Sequence, residues 1–380
     1  MRNYTVTRVW GIPIRINISL IVFLPILAWL IGSGTQLELY AGVLESVTGR
    51  AIDAAALQEG STPWVIGIAA AVGLFVSVTL HELGHAYAAL RYGIGVESIT
   101  LWILGGLASL ESFPKEWNRE FVIALAGPAA SVLVGAVAFG SLSLVPASAP
   151  VAVFVIGWVA LANVLLTVFN LLPAFPMDGG RVLRSLLARN RSHAEATQIA
   201  AGIGRAFGIA FAIFGVLFFA PMFLLLAWFI YSAASAESRI VQLESLLDGY
   251  TVADILPSDR PQVDADSTLT ECIDVMLDEK RTTLPVVENG QYVGLVTMGA
   301  IQGVDAVERD AYRVEDVLTH DLPTFDATTT GFDALTQLGA GRKTAAYVTR
   351  DGERVGVIDH SDFASLLNLQ KQLRTPTRRA

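Results

Sequence analysis

Hydrophobic and polar positions divide this chain into two parts. Before residue 240, apolar residues run almost unbroken through roughly 16–33, 64–90, 120–142, 150–171, 198–218 and 220–236. A bilayer core about 30 Å thick needs about 20 apolar residues of helix to cross it, so these runs predict about six membrane-spanning helices. The last two are parted only by Ala220-Pro221 and together exceed one crossing, which predicts a tight hairpin. The first run is long for a signal-peptide core and lacks a clear A-x-A site, so it reads as a span. After residue 240 the apolar runs are short and the sequence repeats itself with an offset of 62 residues. Val252-Ala253-Asp254-Ile255-Leu256 returns as Val314-Glu315-Asp316-Val317-Leu318, and Gly294-Leu295-Val296 returns as Gly356-Val357-Ile358. Each copy predicts a helix (270–279; 331–339) and a strand-turn-strand (284–296; 345–358), turned at Asn289-Gly290 and Asp351-Gly352.

Charge sharpens this division. The first 240 residues carry 13 Lys and Arg against 12 Asp and Glu, and the remainder 13 against 23, so the net charge of −9 belongs to the repeat. An acidic surface of this kind argues against nucleic acid as a partner. The single Cys272 excludes an intramolecular disulfide and a cysteine-ligated metal site. Basic residues in short loops mark the cytoplasmic side. Arg2, Arg8 and Arg15, then Arg91, Lys115 and Arg119, then Arg181, Arg184, Arg189 and Arg191 fall in three such segments. The 34–62 loop, with Glu38, Glu45, Asp53 and Glu59, and the uncharged 141–150 stretch face outside. Six crossings satisfy every segment, placing the N-terminus and the soluble repeat in the cytoplasm.

The second run contains Thr79-Leu80-His81-Glu82-Leu83-Gly84-His85-Ala86. On a helix His81 and His85 stack on one face, so both imidazoles can reach one ion, while Glu82 is rotated by about 100° and stands beside it. Zinc makes a nearby water acidic, and a carboxylate in that place can take its proton. An ionisable Glu within an apolar span is costly and marks function more readily than packing. A catalytic zinc wants three protein ligands, and His193, His320 and His360 lie in a loop or in the soluble repeat. The best carboxylate is Asp178, at the cytoplasmic end of the fourth run as His81 and His85 are at that of the second; its alternative is a turn residue before Gly179-Gly180 that caps the next helix. Gly127-Pro128 in the third run reads as a packing and kink site.

The HELGH sequence and the run Asn170-Leu171-Leu172-Pro173-Ala174-Phe175-Pro176-Met177-Asp178-Gly179 resemble the two signatures of the site-2 protease family, intramembrane metalloproteases with HExxH on one membrane helix and N-x-x-P-x-x-x-x-D-G on another. That resemblance implies one zinc per chain on His81, His85 and Asp178, Glu82 as general base, and Asn170 as a substrate-positioning residue. The segment 98–110, with Gly105-Gly106, resembles the edge strand these enzymes are thought to offer to an unwound substrate. The implied activity is hydrolysis of a peptide bond in or near the transmembrane helix of a membrane-anchored, typically regulatory, protein within the lipid bilayer.

The 62-residue repeat resembles a tandem pair of cystathionine-beta-synthase (CBS) domains, which commonly bind adenosine nucleotides and associate into dimers. A nucleotide-holding copy usually shows G-x-x-T/S-x-x-D. Here the first copy keeps Thr297 but has Ala300, and the second keeps Asp362 but has Asp359 in the Thr position. Thr297 and Asp362 are the candidate nucleotide contacts, and Asp359 would repel phosphate. The fold expected is a polytopic α-helical membrane protein followed by a soluble α+β CBS pair. Its parts are 1–240 as the membrane metalloprotease domain, 241–250 as linker, 251–309 and 310–366 as the CBS copies, and 367–380 as a basic tail with Lys371, Arg374, Arg378 and Arg379. The rival architecture, a CBS-gated channel or transporter, has no need of a general base beside two imidazoles.

Overall fold

The computed structural model describes all of the chain except residues 1–2, 51, 104, 112–113, 115, 147, 342 and 375–380, so Arg2, Lys115, Arg378 and Arg379 lie outside the described residues. Two compact units form, Met1–Arg239 and Ile240–Ala380.

The first unit opens with two antiparallel strands, β1 (Asn3–Val9) and β2 (Ile12–Asn17), followed by helix α1 (Ile18–Gly32). The Asn17 side chain starts α1 by accepting a hydrogen bond from the Ser19 N–H. After α1 the chain bends by 68° into α2 (Gly34–Thr48), where the sequence predicts an outside loop. The helix forms because Leu37, Ala41 and Leu44 recur at helical spacing and are buried, while Glu38 and Glu45 stay on its exposed side. Next come α3 (Thr62–Arg91), strands β3 (Val96–Trp102) and β4 (Gly105–Leu110), α4 (Trp117–Ser141), α5 (Pro150–Asn170), α6 (Asp178–Ala188), α7 (His193–Leu217) and α8 (Pro221–Leu247). Among the described residues, α3, α4, α5, α7 and α8 are long and apolar enough to cross a membrane, and the bent pair α1–α2 makes a sixth if taken as one span. The surface agrees with a lipid environment. On α4, Val132, Leu133 and Val137 face outward while Gly127, Ser131 and Gly135 are buried, the inverse of a water-soluble helix. α7 and α8 form the expected hairpin, with Phe214 and Phe223 packed at 4.7 Å.

The four strands make one sheet in the order β1-β2-β3-β4, with β2 and β3 parallel and the other pairs antiparallel. Among the described residues, β4 therefore has β3 on one side and no strand on the other.

The second unit is an internal duplicate. Its first half contains α9 (Val252–Ile255), β5 (Val263–Asp264), α10 (Leu269–Asp278), β6 (Thr283–Glu288), β7 (Gln291–Thr297) and α11 (Met298–Gln302). The second half contains β8 (Thr324–Asp326), α12 (Gly331–Gly341), β9 (Ala345–Arg350), β10 (Glu353–Asp359) and α13 (His360–Arg374). Each half pairs a short parallel strand with an antiparallel hairpin. Both hairpins turn on left-handed residues, Asn289 (φ 51°) with Gly290 (φ 77°) and Asp351 (φ 53°) with Gly352 (φ 84°), as two-residue turns require. Leu269, Met276, Leu284 and Val296 fill one core, and Phe325, Leu338, Val348 and Ile358 the other.

Candidate metal centre and its surroundings

His81 and His85 are one turn apart on the buried face of α3, and Asp178 is the first residue of α6. The three side chains converge. His81 Nε2 lies 3.1 Å and His85 Nε2 3.2 Å from Asp178 Oδ2, and the two Nε2 atoms are 3.2 Å apart. All three residues are buried, and among the described residues they bring together three donor atoms of the types that ligate metal ions. A tetrahedral zinc with nitrogen and oxygen ligands at about 2.0–2.2 Å spaces its donor atoms roughly 3.3–3.5 Å apart, so this donor set fits zinc closely. The outer nitrogens are also engaged: His85 Nδ1 is 2.7 Å from the Ile123 carbonyl, and His81 Nδ1 is 2.9 Å from Ser131 Oγ. Such outer contacts orient metal-binding imidazoles.

Glu82 lies beside this group, in a cavity of about 150 Å³ whose wall also includes Gly106, Ala108, Asn170, Pro176 and Arg181. A methyl group added at Gly106 would lie 2.8 Å from Glu82 Oε1, so β4 approaches Glu82 as closely as only a glycine permits. Gly105 starts the same strand at φ 131° and is not part of the cavity wall. Asn170 ends α5, and its Nδ2 donates to the Leu166 carbonyl.

Sequence reasoning assigned Gly127 to packing and left out Ile123 and Ser131. In the structure all three lie on the face of α4 that backs the imidazoles. A methyl at Gly127 would lie 2.7 Å from His81 Nε2 and closer still to His85 Nε2. The available signal was their i, i+4, i+8 spacing, with small residues at 127 and 131 in an otherwise apolar helix.

In the second unit, Thr297 caps α11 by accepting a hydrogen bond from the Ala300 N–H. Asp362 is buried, and its Oδ2 accepts from Arg260 Nη1 at 2.6 Å. Arg260 Nη2 also donates to Asp359, which accepts from Ser361 Oγ and from Thr283 Oγ1 as well. Burial pushes both carboxyls up; at Asp359 the Arg260 charge and these hydroxyls outweigh it and hold the group below the usual carboxylate range. At Asp362 burial prevails and the pKa is raised. Arg260 also borders a cavity of about 420 Å³ lined by Pro257, Asp259, Tyr292 and Gly356.

Residues 69–153 and 144–214 match Peptidase family M50, and residues 252–304 and 314–369 match the CBS domain. A zinc metalloprotease of Methanocaldococcus jannaschii is 31% identical over 98% of this chain and 99% of its own length. The protein named putative zinc metalloprotease Rip3, of Mycobacterium tuberculosis, is 32% identical over 81% of this chain and 82% of its own. A solved structure, the site-2 protease from M. jannaschii, is 31% identical and covers 63% of this chain and 96% of that one, with a TM-score of 0.42. Similarity to a metalloprotease along the whole chain sets aside the channel architecture. The chain belongs to the site-2 protease family, peptidase family M50, as a multi-pass membrane metalloendopeptidase that carries a C-terminal CBS pair.

Proposed function

We propose that this chain cleaves the transmembrane segments of membrane-anchored proteins, with His81, His85 and Asp178 holding one zinc ion and Glu82 acting as general base. The observation that carries the reading is the convergence of three donor atoms 3.1–3.2 Å apart against the cavity that contains Glu82. When bound, zinc supplies the Lewis acidity that polarises a scissile carbonyl and makes a water in the cavity acidic. Glu82 accepts a proton from the attacking water as the new C–O bond forms, and returns it to the amide nitrogen as the C–N bond breaks. Buried transmembrane segments hide their peptide bonds in helical hydrogen bonds. The free edge of β4 offers backbone partners to an unwound stretch of substrate, Gly105 and Gly106 let it approach, and Asn170 positions it.

The distribution of Lys and Arg supports a cytoplasmic N-terminus and a cytoplasmic CBS pair. The proposed domain limits are 1–240, 251–309 and 310–366, with 241–250 as linker and 367–380 as tail; α8 continues through Leu247 and α13 through Arg374, so most of that linker and the first half of that tail are helical. The CBS pair regulates the protease and provides a dimer contact. An adenosine nucleotide at Thr297 or Asp362 is one regulatory ligand of suitable chemistry; at Asp362 its ribose would compete with Arg260 for the carboxylate.

The test is zinc content and cleavage of a reporter with one membrane helix, using protein purified in detergent. Wild type should hold one zinc and cut; Glu82→Ala should keep zinc and not cut; Asp178→Ala should lose both. Cleavage by a wild type free of metal would overturn the reading.

A further inference from the structure

Four buried positions on α4, namely Glu120, Ile123, Gly127 and Ser131, follow at intervals of three and four residues and share one face of the helix. That face meets His81 and His85 directly, and through Arg184 it meets the helix that begins with Asp178. The Ile123 carbonyl can only accept, so His85 Nδ1 carries the proton and Nε2 presents its lone pair inward. The Ser131 hydroxyl can donate or accept, so it holds the His81 ring at Nδ1 without fixing the tautomer by itself. Gly127 contributes by lacking a side chain where the two Nε2 atoms face it.

Glu120 reaches the third ligand through α6. Its Oε1 accepts from Arg184 Nε at 2.7 Å and from Nη2 at 2.5 Å, and Arg184 Nη1 donates to Glu237 of α8 at 2.5 Å. Arg184 stands six residues after Asp178 on the same eleven-residue helix, with its guanidinium over the Phe175 ring. Glu120 and Arg184 are 1% and 4% exposed, and a buried charge pair in a membrane protein is expensive to keep unless it does something.

We propose that this face of α4 is the template of the metal centre, with Ser131 and Glu120 as positioning residues: Ser131 through His81, and Glu120 through Arg184 and the helix that bears Asp178. The inference rests on the assignment of zinc to His81, His85 and Asp178. Contacts of this outer kind typically contribute about 10–100-fold to metal affinity.

The test uses the full chain in detergent and reads zinc affinity by chelator competition, the visible spectrum of the cobalt-substituted protein, and the melting temperature of the metal-free protein. Ser131→Ala should weaken zinc binding by about 10–100-fold and alter the cobalt spectrum, with metal-free melting unchanged; Glu120→Gln, which leaves Arg184 only its Glu237 partner, should weaken zinc binding, alter the cobalt spectrum and also lower the metal-free melting temperature. Ser131→Thr keeps the hydroxyl, and a cavity of about 490 Å³ beside residue 131 has room for the added methyl, so its affinity should return to near the parent value. If Glu120→Gln does not fold, the Ser131 pair decides. A parent that binds zinc while Ser131→Ala binds it within about twofold and with the parent spectrum overturns the inference alone, well below the expected outer-contact effect. Equal losses in Ser131→Ala and Ser131→Thr overturn it too. A parent that binds no zinc overturns the ligand assignment and the inference with it.

Discussion

Gly106 lies so close to Glu82 that a methyl added to its Cα would sit 2.8 Å from the Oε1 atom. The strand proposed to receive substrate and the carboxylate proposed as base are thus in contact, and each limits where the other can stand. Gly106→Ala should displace Glu82 and lower kcat by about 10²-fold, the scale of a misplacement near 1 Å, while zinc content stays at the parent value. Reporter kinetics beside metal analysis would check this; an unchanged kcat would show that Glu82 does not depend on that strand.

Gly127→Ala tests the space for the ion directly. Alanine favours a helix by about 1 kcal/mol over glycine, so helix propensity alone would stabilise the variant. The methyl, however, would intrude 2.7 Å from His81 Nε2, and zinc affinity should fall by at least the ~10–100-fold of an outer-contact change. Chelator competition would read the loss.

Asn163 is fully buried on α5, and its Nδ2 donates at 2.9 Å to Ser77, one turn before His81 on α3. Hydrogen bonds between membrane helices contribute about 0.6 kcal/mol on average and up to about 1.7, so Asn163→Ala should destabilise the membrane unit by roughly 1 kcal/mol. Tryptophan fluorescence can follow its unfolding, because all seven Trp precede residue 240.

Arg260 holds two buried carboxylates in the CBS unit. Arg260→Ala would leave Asp359 and Asp362 without their shared cation, at a cost of about 3–5 kcal/mol. Without Trp in that unit, hydrogen exchange of peptides spanning β9 and β10 is the suitable measurement, and faster exchange there is expected.

The two carboxylates should respond to pH with opposite signs. Asp359 has a lowered pKa in the folded state, so its contribution is complete above the unfolded value and is lost as pH falls through the folded one. Asp362 has a raised pKa, so its contribution is present below the unfolded value and is lost as pH rises through the folded one. Asp359→Asn should therefore accelerate exchange at pH 7 and have little effect at low pH, whereas Asp362→Asn should be neutral or protective at pH 7. The reverse order would contradict the arrangement of charges around Arg260.

Local chemistry was legible in the sequence. Apolar runs long enough for a bilayer identify their own helices, and the four-residue spacing of His81 and His85 puts both rings on one face of any helix that contains them. The CBS hairpins announced themselves through Asn289-Gly290 and Asp351-Gly352, because those residues tolerate the left-handed backbone that such turns need. The bend between α1 and α2 was not legible, since the charges of α2 concealed a short stripe of Leu37, Ala41 and Leu44. Nor was the face of α4 that meets the imidazoles: an apolar membrane helix is similar on every side, and only its packing decides that Ile123, Gly127 and Ser131 turn toward His81 and His85. The same holds for Arg260, whose partners Asp359 and Asp362 lie 99 and 102 residues away. Spacing along a chain determines what one helix or turn can present, whereas the partner it is presented to depends on contacts between distant segments, which only the tertiary structure settles.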